Sequence, residues 1–193
     1  MKRWAPVLLF VGLAACRSPP THFYLLDATP SSQRWTASGK PIEINHIVIP
    51  AVLDRNSLVV RSGPNELKVS DADRWAAPLD DMTQRVLAAD LRDRLPPSLI
   101  LQPGDPTPSS GARQLTVVIR QFMGDTAGVV RLDADWSLVA GQPSQPVQRR
   151  SEAITVQARS AEAPDLVAAM SQAVGQLADR IAAAVGATAS HRR

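Results

Sequence analysis

The chain has one cysteine, three histidines, one tyrosine and only 4% aromatic residues, and its 21 basic and 18 acidic residues nearly cancel. Each scarcity excludes something. A lone cysteine cannot form an internal disulfide or supply the paired thiolates of a structural metal site. Few rings and little surplus charge argue against nucleic-acid binding, which needs a clustered basic face and stacking aromatics. No apolar stretch reaches the roughly 20 residues that carry a helix across a bilayer. The sequence contains no Gly-x-Ser-x-Gly elbow, no His-Glu-x-x-His run and no glycine-rich phosphate loop.

The one cysteine stands in an informative place. Lys2 and Arg3 precede an apolar run from Val7 to Leu13, and the small residues Ala14 and Ala15 lead directly to Cys16. A positive start, a short apolar middle and a small-residue end are the parts of a cleavable export signal. An ordinary secretory signal with a cysteine at the cut by chance is the plainer reading, but it leaves an odd thiol in an exported chain. Leu13-Ala14-Ala15-Cys16 resembles the bacterial lipobox. That resemblance implies a diacylglycerol on the Cys16 thiol, cleavage before it and acylation of the new amino group. Two or more acyl chains hold a protein stably where one does not, each buried methylene contributing about 0.8 kcal/mol. Arg17 stands where many Gram-negative inner-membrane lipoproteins carry a retaining aspartate, so the expected location is the outer membrane, facing the periplasm. Loss of Lys2 and Arg3 with the signal lowers the 21 basic residues to 19 against 18 acidic ones. The mature chain is therefore close to neutral. Beyond the lipid on Cys16, no cofactor or metal is expected.

Four segments follow: a signal at 1–15, a lipidated N-terminus and tether at 16–39, one folded domain at 40–187 and a flexible tail at 188–193. Prolines and serines keep the tether open, apart from Phe23-Tyr24-Leu25-Leu26, which reads as a strand docked on a sheet edge. Ile42, Ile44, Ile47 and Ile49 predict a buried strand. Leu58–Arg61 and Glu66–Ser70 predict two short strands around the turn-forming Ser62-Gly63-Pro64-Asn65. Leu79, Met82, Val86, Leu87, Leu91 and Leu95 recur at helical spacing, and Pro96-Pro97 ends that helix. Asp81 with Arg85 and Asp90 with Arg94 form acid-then-base pairs on its charged face. Leu99-Ile100-Leu101 forms a short strand before a proline-rich loop. Gln114–Met123, Val130–Leu138 and Gln148–Gln157 form a meander, the second alternating strictly between apolar and polar residues. A last amphipathic helix starts near Pro164 and runs past Val185. The expected fold is a single α+β domain, a mostly antiparallel sheet with two amphipathic helices packed on one face.

Candidate chemistry is sparse. His22 lies in the tether, His46 in the first strand region and His191 in the tail, and none has a nucleophile placed beside it by the sequence. Asp133 and Asp135 share one strand face, where Arg131 makes a salt-bridged surface the simpler reading than acid/base catalysis. Arg55 and Arg61 flank Leu58-Val59-Val60 and suit bidentate contacts to partner carboxylates or lipid phosphates, or else guard a sheet edge. Trp75 could meet a partner or the membrane interface, or staple the helix entrance to the sheet. Trp136 is most simply core.

Three separated motifs carry a family resemblance across the mature chain. Phe23-Tyr24-Leu25-Leu26, then Ile49-Pro50-Ala51-Val52-Leu53-Asp54-Arg55-Asn56-Ser57-Leu58-Val59-Val60-Arg61, then Arg74-Trp75-Ala76-Ala77-Pro78-Leu79-Asp80 with Arg85-Val86-Leu87 are similar to the ABC-transport auxiliary lipoproteins of the PqiC/YmbA-like kind. Val52 and Asn56 depart from the aromatic and the proline expected there. The resemblance implies a non-enzymatic accessory of a system that moves lipids or other hydrophobic molecules between two membranes. Its partners would be an MCE-domain protein and an inner-membrane ABC transporter or permease, docked near Arg55 and Trp75 or at a sheet edge, with a homo-oligomeric ring left open. The alternative is a stand-alone periplasmic lipoprotein that encloses a lipid or small hydrophobic ligand. That alternative requires an apolar cavity of several hundred Å³.

Overall fold

A computed structural model describes residues 20–37, 40–140 and 146–190. Cys16, Arg17, the export signal and His191 lie outside the described residues. In chain order the elements are β1 (His22–Tyr24), β2 (Ile42–Ile44), β3 (Ser57–Gly63), β4 (Glu66–Trp75), α1 (Leu79–Arg94), β5 (Ile100–Leu101), β6 (Arg113–Asp125), β7 (Val129–Ala140), β8 (Pro146–Gln157) and α2 (Ala163–Ser190). Residues 188–190 of the expected tail continue α2.

The long meander β6–β7–β8 is antiparallel and forms where the period-two pattern places it. Val130, Leu132, Ala134, Trp136 and Leu138 all face inward and are buried, while the residues between them face out. A register shift between Ile119 and Gln121 makes Arg120 the extra residue of a bulge. Inward alternation then resumes at Phe122. The helix α1 begins directly after Pro78, carries Asp80 and Asp81 in its first turn and ends one residue before Leu95. Both helices lie side by side against the sheet, α2 covering β6, β7 and β8.

The sheet is mixed, which corrects the expectation of a mostly antiparallel one. β1 runs parallel to β4, β2 parallel to both β5 and β6, and β3 parallel to β6. The reason is connectivity. β6 is long enough for one edge to take β7 along its length and the other to take β2 at its start and β3 at its end. β4 runs antiparallel to β3, and the chain returns through α1 and β5 before entering β6, so β6 runs opposite to β4 and in the direction of β3; parallel neighbours need a long connection of this kind between them.

The isoleucine run expected as one strand is also divided. After Ile44 the chain slips at Asn45 and His46, so the buried positions pass from 42 and 44 to 47 instead of staying on even numbers. Asn45 bridges the slip: its backbone N–H donates to Leu115 O at 2.9 Å and its side-chain Nδ2 to Thr116 Oγ1 at 2.9 Å. An isolated parallel bridge, Val48 to Val118, then restores pairing.

Residues 25–37 are packed as a strap, where an open tether was expected. Leu26 is completely buried in the main core, Ala37 is buried with it and Trp35 packs against it. Two glycines of α2 make room. A Cβ on Gly175 would stand 1.9 Å from Thr29 Oγ1, and one on Gly186 would stand 2.9 Å from Trp35 Cβ. The helix therefore presents bare backbone where the strap crosses it.

Candidate docking surfaces

The strap is pinned by a charged centre that helical spacing misplaces. Asp90 and Arg94, expected as an exposed pair four residues apart, have side chains only 1% and 2% exposed. Arg94 Nη1 donates to Asp90 Oδ1 at 3.2 Å and to Thr29 O at 3.0 Å, and Nε donates to Asp179 Oδ1 on α2 at 2.6 Å. The Thr29 N–H donates to Asp90 Oδ1 at 2.8 Å, and Ser31 Oγ donates to Asp179 Oδ1 at 3.0 Å. The Trp35 N–H closes the strap onto Arg94 O at 2.8 Å. Three chain segments thus share one guanidinium, whose planar fork suits such a junction. Asp90 Oδ2 is buried without a hydrogen-bond partner among the described residues. Its burial raises the Asp90 pKa to about 6, against the lowering effects of the Thr29 N–H and of Arg94. No local signal marks this junction, because its members come from positions 29, 90, 94 and 179.

The residues singled out for partner binding do not form one cluster. Arg55 is exposed in the loop before β3 and has no ion-pair partner among the described residues. Arg61 is half-buried near the far end of β3, where Nη1 donates to Pro64 O at 3.1 Å and braces the β3–β4 hairpin. Arg55 precedes the start of β3 and Arg61 lies toward its other end, so the strand holds the two apart. Trp75 is 5% exposed and belongs to the main core. Its side chain is turned into the core, so it is not an exposed contact surface in this structure. Its backbone N–H donates to Asn56 O at 2.6 Å, and that of Ala76 donates to Tyr24 O at 2.9 Å. The start of β3, the end of β4 and the end of β1 therefore converge beside Arg55. Among the described residues β1 and β8 each pair with one strand only, leaving an outer edge.

Other candidates resolve as surface structure. Asp135 accepts from Ser151 Oγ at 2.6 Å and from Arg120 Nε at 2.7 Å. The ion pair expected with Arg131 is thus made by the bulged Arg120. These two contacts, Ser151 first, lower the Asp135 pKa. His46 is exposed, and His22 Nδ1 stands 3.7 Å from Asp73 Oδ1. Among the described residues no three His, Cys, Asp or Glu side chains converge as metal ligands, and no helix is long and apolar enough to cross a membrane. Trp136, Phe122, Leu115, Leu177 and Ile181 fill the space between α2 and the meander. Surface grooves among the described residues include one of about 320 Å³ between the β3–β4 hairpin and the start of α2, one of about 350 Å³ between the strap and α2, and one of about 390 Å³ on the meander around Arg120 and Asp135.

A sequence profile of the family described as ABC-type transport auxiliary lipoprotein component matches residues 24–182. The Intermembrane transport lipoprotein PqiC of Escherichia coli strain K12 is 26% identical over 143 residues, covering 72% of this chain and 74% of that protein. PqiC of Shigella flexneri matches to the same extent. Two crystal structures share the fold at 20% identity. One, of an uncharacterized protein, has a TM-score of 0.72 and covers 86% of this chain and 99% of its own. The other, of a protein from Xanthomonas campestris, has a TM-score of 0.69 and covers 87% and 95%. The profile runs from the last residue of β1 through the strap, both sheet halves and α1 well into α2, and the chain belongs to the family of ABC-type transport auxiliary lipoprotein components.

Proposed function

We propose that this auxiliary lipoprotein is a non-enzymatic outer-membrane component, held by acyl chains on Cys16 and directed there by Arg17. It serves an ABC/MCE-type system that carries lipids or other hydrophobic molecules between two membranes. The single observation that carries the reading is the family match over residues 24–182, which spans the strap as well as the domain. The strap supports it physically. A strap locked by Arg94 couples the anchored N-terminus to the helices, so the domain is held close to its anchor and not paid out on a loose linker.

Docking is assigned to the hairpin end of β3, where Arg61 sits beside the turn at Pro64 and Asn65 and beside Asp125 of β6. That end lies farthest along β3 from the point where the chain arrives from Cys16. The side chains that fill the space between α2 and the meander favour docking over enclosing a ligand. Crosslinking in intact cells, followed by purification through this protein, should recover an MCE-domain protein with its inner-membrane ABC transporter or permease. Recovery of neither would contradict the reading.

A further inference from the structure

We infer that Phe23, Leu25, Arg74 and Arg55 form the face by which the domain lies on the membrane surface. The inference rests on the proposed acylation of Cys16. Phe23 is 66% exposed and Leu25 50%, an unusual placement for two large apolar side chains two residues apart. Alternation explains their direction: Leu26 is buried and Tyr24 packs against the core, so Phe23 and Leu25 point away from it. Pairing places Arg74 beside Phe23 in the β1–β4 register and beside Ser57 in the β3–β4 register, and Arg55 lies two residues before Ser57. Arg74 and Arg55 are both exposed, and neither has an ion-pair partner among the described residues. The nearby Asp73 is occupied, accepting from Tyr24 Oη at 3.1 Å and Ser70 Oγ at 2.8 Å.

Chain length selects the occupant. Phe23 stands seven positions after Cys16, and a fully extended chain over those seven steps reaches at most about 25 Å. A lipid on Cys16 therefore holds Phe23 within that distance of the bilayer. An exposed ring and a leucine can enter the headgroup boundary, while the two guanidiniums can donate bidentately to lipid phosphate oxygens. The groove of about 350 Å³ beside Leu25 mixes Ala28, Pro164 and Val167 with Asp27, Ser171 and Gln172, so the apolar contact is confined to Phe23 and Leu25.

The test uses the full-length lipoprotein purified from membranes and placed in vesicles of phosphatidylethanolamine and phosphatidylglycerol. Cys16 should have no free thiol, so Phe23→Cys accepts an environment-sensitive fluorophore at one position and Asn65→Cys provides the distal control. The expected result is blue-shifted emission at position 23, quenched by nitroxides on the lipid acyl chains, with water-like emission at 65. Arg55→Glu with Arg74→Glu should lower the quenching at 23 at least two-fold. Water-like emission at 23 in protein that floats with the vesicles overturns the inference. Blue-shifted emission that acyl-chain quenchers cannot reach also overturns it, by placing Phe23 against another protein. Labelling of the unsubstituted chain would instead show a free thiol at Cys16, and the inference would then fall with the anchor itself.

Discussion

Arg94 Nε donates to Asp179 Oδ1 at 2.6 Å, and through this one bond the last turn of α1 is joined to the middle of α2 directly beneath the strap. The same guanidinium holds Asp90 and the carbonyl of Thr29. Removing it strands the buried Asp90 carboxylate without its counter-charge. Arg94→Met should cost about 3–5 kcal/mol, as breaking a buried ion pair does. Urea denaturation measures this, and a loss under 1 kcal/mol would show that the junction does not hold the fold.

Asp90 gives that junction a pH dependence of defined sign. Its folded pKa is raised from 3.8 to about 6, so between those values the folded chain keeps a proton that the unfolded chain has lost. The contribution is fully present below about pH 4 and is lost as pH rises through 6. From pH 7 to pH 4 it should add on the order of 3 kcal/mol, an upper figure from the shift. Asp135, and Asp165 in the first turn of α2, where Ser160 Oγ and Arg159 donate to its carboxylate, have lowered pKa values and act oppositely, their stabilisation being lost below the unfolded value of 3.8. Denaturant midpoints from pH 4 to 7 should therefore rise toward acid in the wild type and lose most of that slope in Asp90→Asn. Equal slopes in both proteins would refute the assignment.

Gly175 tests the strap itself. A Cβ there would stand 1.9 Å from Thr29 Oγ1. Gly175→Ala should displace residues 27–31 and destabilise the protein by about 1–3 kcal/mol, the usual cost of overpacking. Limited proteolysis should then cut within the strap while the meander stays intact. Thr29→Gly in the same chain should restore most of the protection.

Trp75 and Arg55 should separate stability from surface chemistry. Trp75→Ala removes a core side chain and should cost about 3–5 kcal/mol. Arg55→Ala changes an exposed loop and should stay within about 0.5 kcal/mol of wild type. Thermal and urea melts of the two variants decide this, and a stable Trp75→Ala protein would return that residue to the surface candidates.

Residues with strong periodicity were legible in the sequence, and residues defined by distant partners were not. Leu79 to Leu95 and Val130 to Leu138 declare a helix and a half-buried strand because one face of each is buried along its whole length. The parallel pairs of β2 and β3 with β6 carry no such mark, since their direction is set by crossovers. Asp90 and Arg94 have the spacing of a solvated surface pair, and only the strap lying over them converts that spacing into a buried junction. The strap itself has the prolines and serines of an open linker; Leu26, Thr29 and Trp35 order it through contacts with helices more than 50 residues away. Of the site residues, Arg55 was readable as exposed, whereas Trp75 turned inward and Phe23 drew no notice as an outward-facing ring.

The lipid anchor is checked by Cys16→Ala. Wild type should fractionate with the outer membrane and resist a high-salt wash, whereas the variant should appear in the soluble fraction. Retention of the variant after the wash would disprove anchoring through Cys16.

The most direct measurement of the whole account places a photo-crosslinking side chain at Asn65, on the hairpin beside Arg61, and another at Phe23, in intact cells. The account predicts that position 65 captures an MCE-domain protein and that position 23 does not. Capture of no transport component from position 65, in cells where the lipoprotein is fully membrane-bound, would contradict docking through that end.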